Sequence, residues 1–192
     1  DNPGREVVFF AVGFETTAPA NALSVLHAHR TGVANYSILA SHVLVPPAIA
    51  AVMNDEESNI QAFLAAGHVC TIMGVSEYEP LADAFKIPLV VTGFEPVDLV
   101  QGILMAVRQL EKGEHKMENQ YSRVVRPEGN PEARKVIEAV FEISDREWRG
   151  IGNIPMSGYE VRAEYAAYDA NRKFEVDIEK VPESAECIAG LV

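Results

Sequence analysis

Two stretches of this chain repeat one junction. Residues 7–19 (VVFFAVGFETTAP) and 89–96 (LVVTGFEP) each run from a continuous apolar, β-branched segment through Gly-Phe-Glu to a proline suited to the first turn of a helix. A continuous apolar run is the pattern of a strand buried on both faces in a parallel sheet. One strand–loop–helix junction used twice constrains the fold more than any other feature of the sequence. It predicts two equivalent loops on one face of an α/β framework.

Strand and helix signals alternate around these junctions. Thr17 and Pro19 mark a helix start, residues 36–40 read as a second strand, and Pro46-Pro47 open a helix over 48–53. Ser58-x-x-Gln61 has the form of a capping box and predicts a helix with Ile60, Phe63 and Leu64 on one face, ended by Gly67-His68. Residues 69–73 then read as the third strand. A second box, Ser76-x-x-Glu79, leads into a helix over 81–85, and residues 88–92 form the fourth strand. The helix from 97 to about 111 carries apolar positions at Leu99, Val100, Ile103, Leu104, Val107 and Leu110. From Glu114 the chain turns polar; Asn130-Pro131 caps a helix, and residues 148–158 are too rich in Gly and Pro for a regular element. The expected division is an α/β domain over 1–113, a polar linker with a helix and a Gly/Pro-rich segment over 114–180, and a separate start at 181–192.

Composition sets the function classes. With 48% apolar residues in 192, the chain can bury a sizeable core. Its 28 acidic against 16 basic residues give a net charge of −12 with no basic cluster, which disfavours nucleic acid and anionic membrane surfaces as partners. No apolar run approaches the ~18 residues of a membrane span, and the chain reads as soluble and cytoplasmic. Two cysteines, Cys70 and Cys187, cannot make a disulfide framework.

In an open parallel sheet, sites form at the carboxyl ends of the strands. Those ends carry Glu15-Thr16-Thr17, Ser41-His42, Ser76-Glu77 and Glu95-Pro96. Carboxylates, an imidazole and hydroxyls along one edge suit acid/base chemistry or ligand holding. Equally, Glu15 and Glu95 suit simple capping of helix N-terminal N–H groups. His27 and His29, at i and i+2, face different sides of a helix and form no metal pair, and His115 lies in a solvated run. No C-x-x-C, H-x-x-x-H, G-x-G-x-x-G or P-loop spacing occurs.

Seven motifs follow one another in a fixed order: Gly13-Phe14-Glu15-Thr16-Thr17-Ala18-Pro19; His42-Val43 with Pro46-Pro47-Ala48; Gly67-His68-Val69-Cys70-Thr71-Ile72-Met73-Gly74; Val91-Thr92-Gly93-Phe94-Glu95-Pro96; Asn119-x-Tyr121-x-Arg123-x-Val125; Gly129-Asn130; and Trp148-Arg149-Gly150-Ile151-Gly152-x-Ile154-Pro155-x-Ser157-Gly158. The series resembles the HypD family of [NiFe]-hydrogenase maturation proteins over nearly the whole chain. The resemblance implies an α/β fold with parallel sheets flanked by helices in two similar βα-repeat lobes, followed by the start of a smaller iron–sulfur domain. It implies a metal-centre assembly scaffold with a redox function rather than a turnover enzyme, on which the Fe(CN)2CO group is built with a HypC-type chaperone and a HypE-type cyanide donor. Glu15, Thr16, Thr17, His42, His68 and Glu95 are then cleft residues beside the iron centre, and Trp148 and Arg149 position the cleft or a partner.

The sequence departs from the family pattern in its cysteines. The Cys-Gly-Thr-His and Gly-Pro-Gly-Cys-Pro-x-Cys segments of the family are absent. Cys187 takes the place of the first ligand of a [4Fe–4S] cluster, with the remaining ligands missing, so that neither cluster nor iron centre is expected in this chain alone; it reads as the middle of a longer protein. Cys70 falls where the family has a small polar residue. From the residues alone, a small-molecule α/β enzyme or a two-lobed ligand-binding module using Glu15, Glu95 and His42 stays open.

Overall fold

The computed structural model describes residues 2–174 together with Ser184 and Glu186. In chain order the elements are β1 (Val7–Gly13), α1 (Ala18–Thr31), β2 (Tyr36–His42), α2 (Val45–Met53), β3 (Phe63–Ala66), α3 (Gly67–Met73), α4 (Tyr78–Phe85) and β4 (Leu89–Thr92). They continue as α5 (Pro96–Lys112), β5 (Met117–Asn119), α6 (Pro131–Val140), β6 (Phe141–Trp148), β7 (Gly152–Val161), a 3-10 turn (Ala163–Tyr168) and α7 (Ala170–Phe174). The chain divides into two compact units, residues 1–47 with 135–192, and residues 48–134.

In the first unit, β1 and β2 pair in parallel from Val7↔Tyr36 to Gly13↔His42, and α1 connects them. Pro19 lies in the first turn of α1, and Gly32 ends the helix in the left-handed conformation that glycine adopts without a Cβ penalty. Ala11, Ala18, Ala22, Val25 and Ile38 form the centre of the packing. β6 and β7 make an antiparallel ribbon from Phe141↔Val161 to Trp148↔Gly152, with a register shift between Ser144 and Arg146. A bridge from Val43 to Gly158 and a 2.8 Å bond from the Leu44 N–H to the Ser157 carbonyl join this ribbon to the end of β2. The Gly/Pro-rich segment 148–158 is thus not irregular. Gly150 and Gly152, both at positive φ, turn the chain between two paired strands, and the glycines serve the turn rather than break the element.

The second unit is a three-stranded parallel sheet in the order β3-β4-β5. Here the structure exchanges two expected elements. Residues 58–62 are not helical, β3 begins at Phe63, and the expected strand 69–73 lies within α3. The ladder from Phe63↔Leu89 to Ala66↔Thr92 holds Phe63–Ala66 extended, and this tertiary pairing outweighs the local capping signal of Ser58 and Gln61. An apolar run as short as 69–73 suits a buried helix turn as well as a strand. The second box also fails as a cap: Glu77, not Ser76, stands before α4 and makes no side-chain cap bond. Asn130 does cap as expected, its Oδ1 accepting the Ala133 N–H at 3.1 Å.

Helix α5 lays an unusual face on the sheet. Asp98, Gly102, Ala106 and Gln109 are buried, while Val100, Ile103, Leu104, Val107 and Leu110 are exposed. Gly102 allows this close approach, because a Cβ there would collide with the Thr92 methyl. Both units are therefore α/β, each with a parallel sheet flanked by helices. The expected iron–sulfur segment at 181–192, Cys187 included, lies outside the described residues apart from Ser184 and Glu186.

Candidate functional site

Each unit carries one copy of the Gly-Phe-Glu junction, and the two copies do different things. In the second unit Gly93 follows β4, and a Cβ on it would strike the Asp98 carboxylate and the Tyr121 ring. This glycine lets the chain turn tightly over a cluster drawn from three strand ends. His68 comes from the start of α3 after β3, Phe94, Glu95 and Asp98 follow β4, and Gln120, Tyr121 and Arg123 follow β5. The Arg123 guanidinium donates to both Asp98 oxygens at 2.6 Å and to Glu95 Oε2 at 3.2 Å. It also lies over the Tyr121 ring at 4.5 Å. Gln120 Nε2 adds bonds to Asp98 Oδ1 at 2.9 Å and to Gln101 Oε1 at 2.8 Å.

The charges in this cluster are unequally placed. The Asp98 side chain is 5% exposed, those of Arg123 and Glu95 52% and 63%. Hydrogen bonding from Arg123 above all, and from Gln120, holds the Asp98 carboxyl far below the usual carboxylate range, and the Arg123–Asp98 bond raises Arg123 further. Asp98 is a fixed anion that orients the guanidinium by a bidentate bond. Glu95 stands at the N-cap of α5 without bonding the helix through its side chain, so it does not serve as the capping carboxylate. Its carboxylate, with the exposed His68 ring tilted against Phe94 at 4.9 Å between ring centres, is at the solvent side of the cluster.

In the first unit the equivalent glutamate is buried. Glu15 is 1% exposed, and its Oε1 accepts the Val45 N–H at 2.8 Å. It therefore caps a helix start, though that of α2 rather than the α1 that follows it. Thr17 holds the N-cap position of α1 but donates its hydroxyl to the Phe14 carbonyl at 3.1 Å instead of capping the helix; Thr16 is half-buried. His42 is wholly buried, in contact with the Phe141 and Tyr159 rings at 5.4 and 6.5 Å. The Asn21 amide donates to its Nε2 at 2.8 Å, leaving the proton on Nδ1, which has no hydrogen-bond partner among the described residues. Burial, with a smaller contribution from the Arg146 charge, lowers its pKa to about 4. His42 is a neutral interior group.

Trp148 and Arg149 sit at the end of the β6–β7 ribbon. Trp148 Nε1 donates to Ser157 Oγ at 2.8 Å, and that buried hydroxyl donates to the Ile154 carbonyl at 2.8 Å. Trp148 thus locks the ribbon, while Arg149 is exposed on the turn. The sequence reading singled out neither Asp98 nor Asn21, and used Tyr121 and Arg123 only as parts of a motif. The visible signal was the acidic residue in the first turn of α5 together with Asn119-x-Tyr121-x-Arg123. Among the described residues, no three His, Cys, Asp or Glu side chains form a metal-holding group. No helix among the described residues is long and apolar enough to cross a membrane.

The family model for HypD, described as the hydrogenase formation hypA family, matches residues 1–192. The chain belongs to the HypD family. It is 42% identical over 199 residues to hydrogenase maturation factor HypD2 of Bradyrhizobium diazoefficiens, covering 100% of this chain and 52% of that protein. It is 44% identical over 196 residues to the HypD of Rhodobacter capsulatus, with the same coverage. The HypD of Escherichia coli K12 is 42% identical over 175 residues, 91% of this chain and 47% of that protein. The chain thus spans about half the length of the curated HypD proteins it matches. A [4Fe–4S] cluster takes four thiolates; with Cys70 and Cys187 as its only cysteines, this HypD chain does not itself furnish that set.

Proposed function

We propose that the protein is a hydrogenase maturation factor and that it serves as a scaffold on which the Fe(CN)2CO group of a [NiFe] hydrogenase is assembled, with a HypC-type chaperone and a HypE-type cyanide donor. The observation that carries this reading is the whole-chain match to HypD, with curated relatives named as hydrogenase maturation factors. The iron group is cargo here. A [4Fe–4S] cluster with Cys187 as its first ligand belongs to the same reading, completed by thiolates from outside this sequence.

The second-unit cluster supports a positioning role. Cyanide nitrogen bound to iron is a hydrogen-bond acceptor, and Arg123 has five N–H groups of which three are engaged by Asp98 and Glu95. Asp98 fixes the guanidinium plane, Glu95 holds its outer edge, and the exposed His68 ring packs against Phe94 of the same loop. Glu15, Thr16, Thr17 and His42 act at one remove, by fixing the loop after β1 and the start of α2. Trp148 holds the ribbon that presents Arg149 to a partner.

The test is complementation of a strain lacking its own HypD by the full-length protein. Wild type restores hydrogenase activity, and Arg123→Ala and Glu95→Gln lower it at least tenfold with unchanged HypD abundance. Full activity from both variants would remove the cluster from the function; no activity from wild type, at normal abundance, would count against the maturation role itself.

A further inference from the structure

At the strand ends of the second unit, the ion cluster rests on one aromatic ring. A Cβ on Gly67 would lie 2.7 Å from Tyr121 Cδ1, and one on Gly93 would lie 2.7 Å from Tyr121 Cε2. These are diagonally opposite carbons, so the ring is seated between the glycine that opens α3 and the glycine that follows β4. Neither glycine is at positive φ, and each is open to its crowded neighbours for lack of a side chain. The loop that carries the ring is pinned at both ends. The Gln120 and Tyr121 N–H groups donate to the Val91 carbonyl at 2.9 and 3.3 Å, and the Tyr121 carbonyl accepts from Val124 and Val125. Asn119 Nδ2 closes the loop on the Val125 carbonyl at 3.1 Å, and Val125 is buried.

The Arg123 guanidinium lies over this ring, 4.5 Å from its centre, while both Asp98 oxygens accept its N–H groups. A two-point bond to a carboxylate fixes the distance and heading of a guanidinium but leaves it free to tilt about the line that joins the two groups. A flat ring against it removes that freedom. An aliphatic side chain of similar bulk would fill the space between the glycines and offer no π-face. We propose that Tyr121 is a positioning residue of this site, whose ring, seated between Gly67 and Gly93, aims the free N–H edge of Arg123 at its ligand. The proposal rests on the maturation reading above.

Complementation by the full-length protein tests it. Tyr121→Phe keeps the ring and should restore hydrogenase activity to the wild-type level, whereas Tyr121→Leu should lower it about tenfold or more at unchanged abundance. In the Arg123→Ala background Tyr121→Leu should cost nothing further, because the ring acts through the guanidinium. Losses that multiply overturn the proposal, as does a Tyr121→Phe variant as impaired as Tyr121→Leu. A Tyr121→Leu variant of full activity beside an impaired Arg123→Ala overturns it too, and leaves the maturation reading standing. Full activity from Arg123→Ala instead removes the site, and the proposal with it. Nitrogen-15 NMR of arginine-labelled full-length protein reads the contact directly and decides where Tyr121→Leu does not accumulate. The ring current should move the Arg123 Nε–H proton upfield in wild type and in Tyr121→Phe alike; an unshifted resonance in both contradicts the proposal.

Discussion

At pH 7 the His42 imidazole is uncharged and accepts the Asn21 amide inside the first unit. The unfolded chain protonates it near its ordinary value of 6.5, the folded chain only near 4, so between these values the unfolded state binds more protons. Stability from this residue is complete above about pH 6.5 and is lost as pH falls towards 4, on the order of 3 kcal/mol in full. Urea titrations at pH 7 and pH 4.5 should show that loss in wild type and a smaller one in His42→Gln, which keeps an acceptor but does not titrate. Asp98 has the same sign for a different reason: its carboxyl is depressed by Arg123, so its contribution is present above the ordinary carboxylate range and declines below about pH 4. Glu15 tests the buried cap. Glu15→Ala leaves the Val45 N–H without its acceptor and should cost ~1–3 kcal/mol in chemical denaturation, while Glu15→Gln should retain most of it.

Among the elements, α5 sets packing against propensity. Alanine is favoured over glycine within a helix by ~1 kcal/mol, yet a Cβ at Gly102 meets the Thr92 methyl beneath it. Gly102→Ala should therefore destabilise by ~1–3 kcal/mol, read as a lower denaturation midpoint at unchanged slope. Gly93→Ala should disturb the site more than the fold, since the new methyl strikes Asp98 and Tyr121, and it should lower maturation activity as Arg123→Ala does. The strand–helix alternation was legible in the sequence at β1, α1, β2, β4 and α5, where runs are long or carry Pro and Gly at their ends. It was not legible at 58–73. There the local capping signal points one way, and the ladder between β3 and β4, which only the folded sheet supplies, points the other. That exchange matters for the site, because it places His68 after a strand, where ligand-facing residues stand, rather than at a helix end.

Over the whole molecule, the repeated Gly-Phe-Glu motif correctly marked two strand-to-helix junctions, one in each unit, but not their chemistry. Glu15 is buried on a backbone N–H and Glu95 is solvent-facing on Arg123. Identical local sequence cannot distinguish these, since the difference lies in partners, Val45 and Arg123, far away in the chain. The seven ordered motifs carried the family, whereas the ion cluster that makes the second-unit edge specific needed the fold to bring Asp98, Gln120 and Arg123 together. The proposed role is that the full-length protein, together with a HypC-type chaperone, holds the iron group of a hydrogenase during assembly. Infrared spectroscopy of full-length protein isolated in complex with its HypC-type chaperone tests this most directly. The account predicts cyanide and carbonyl stretching bands that are retained on the purified complex and strongly diminished in Arg123→Ala; an iron-containing complex with neither band would contradict it.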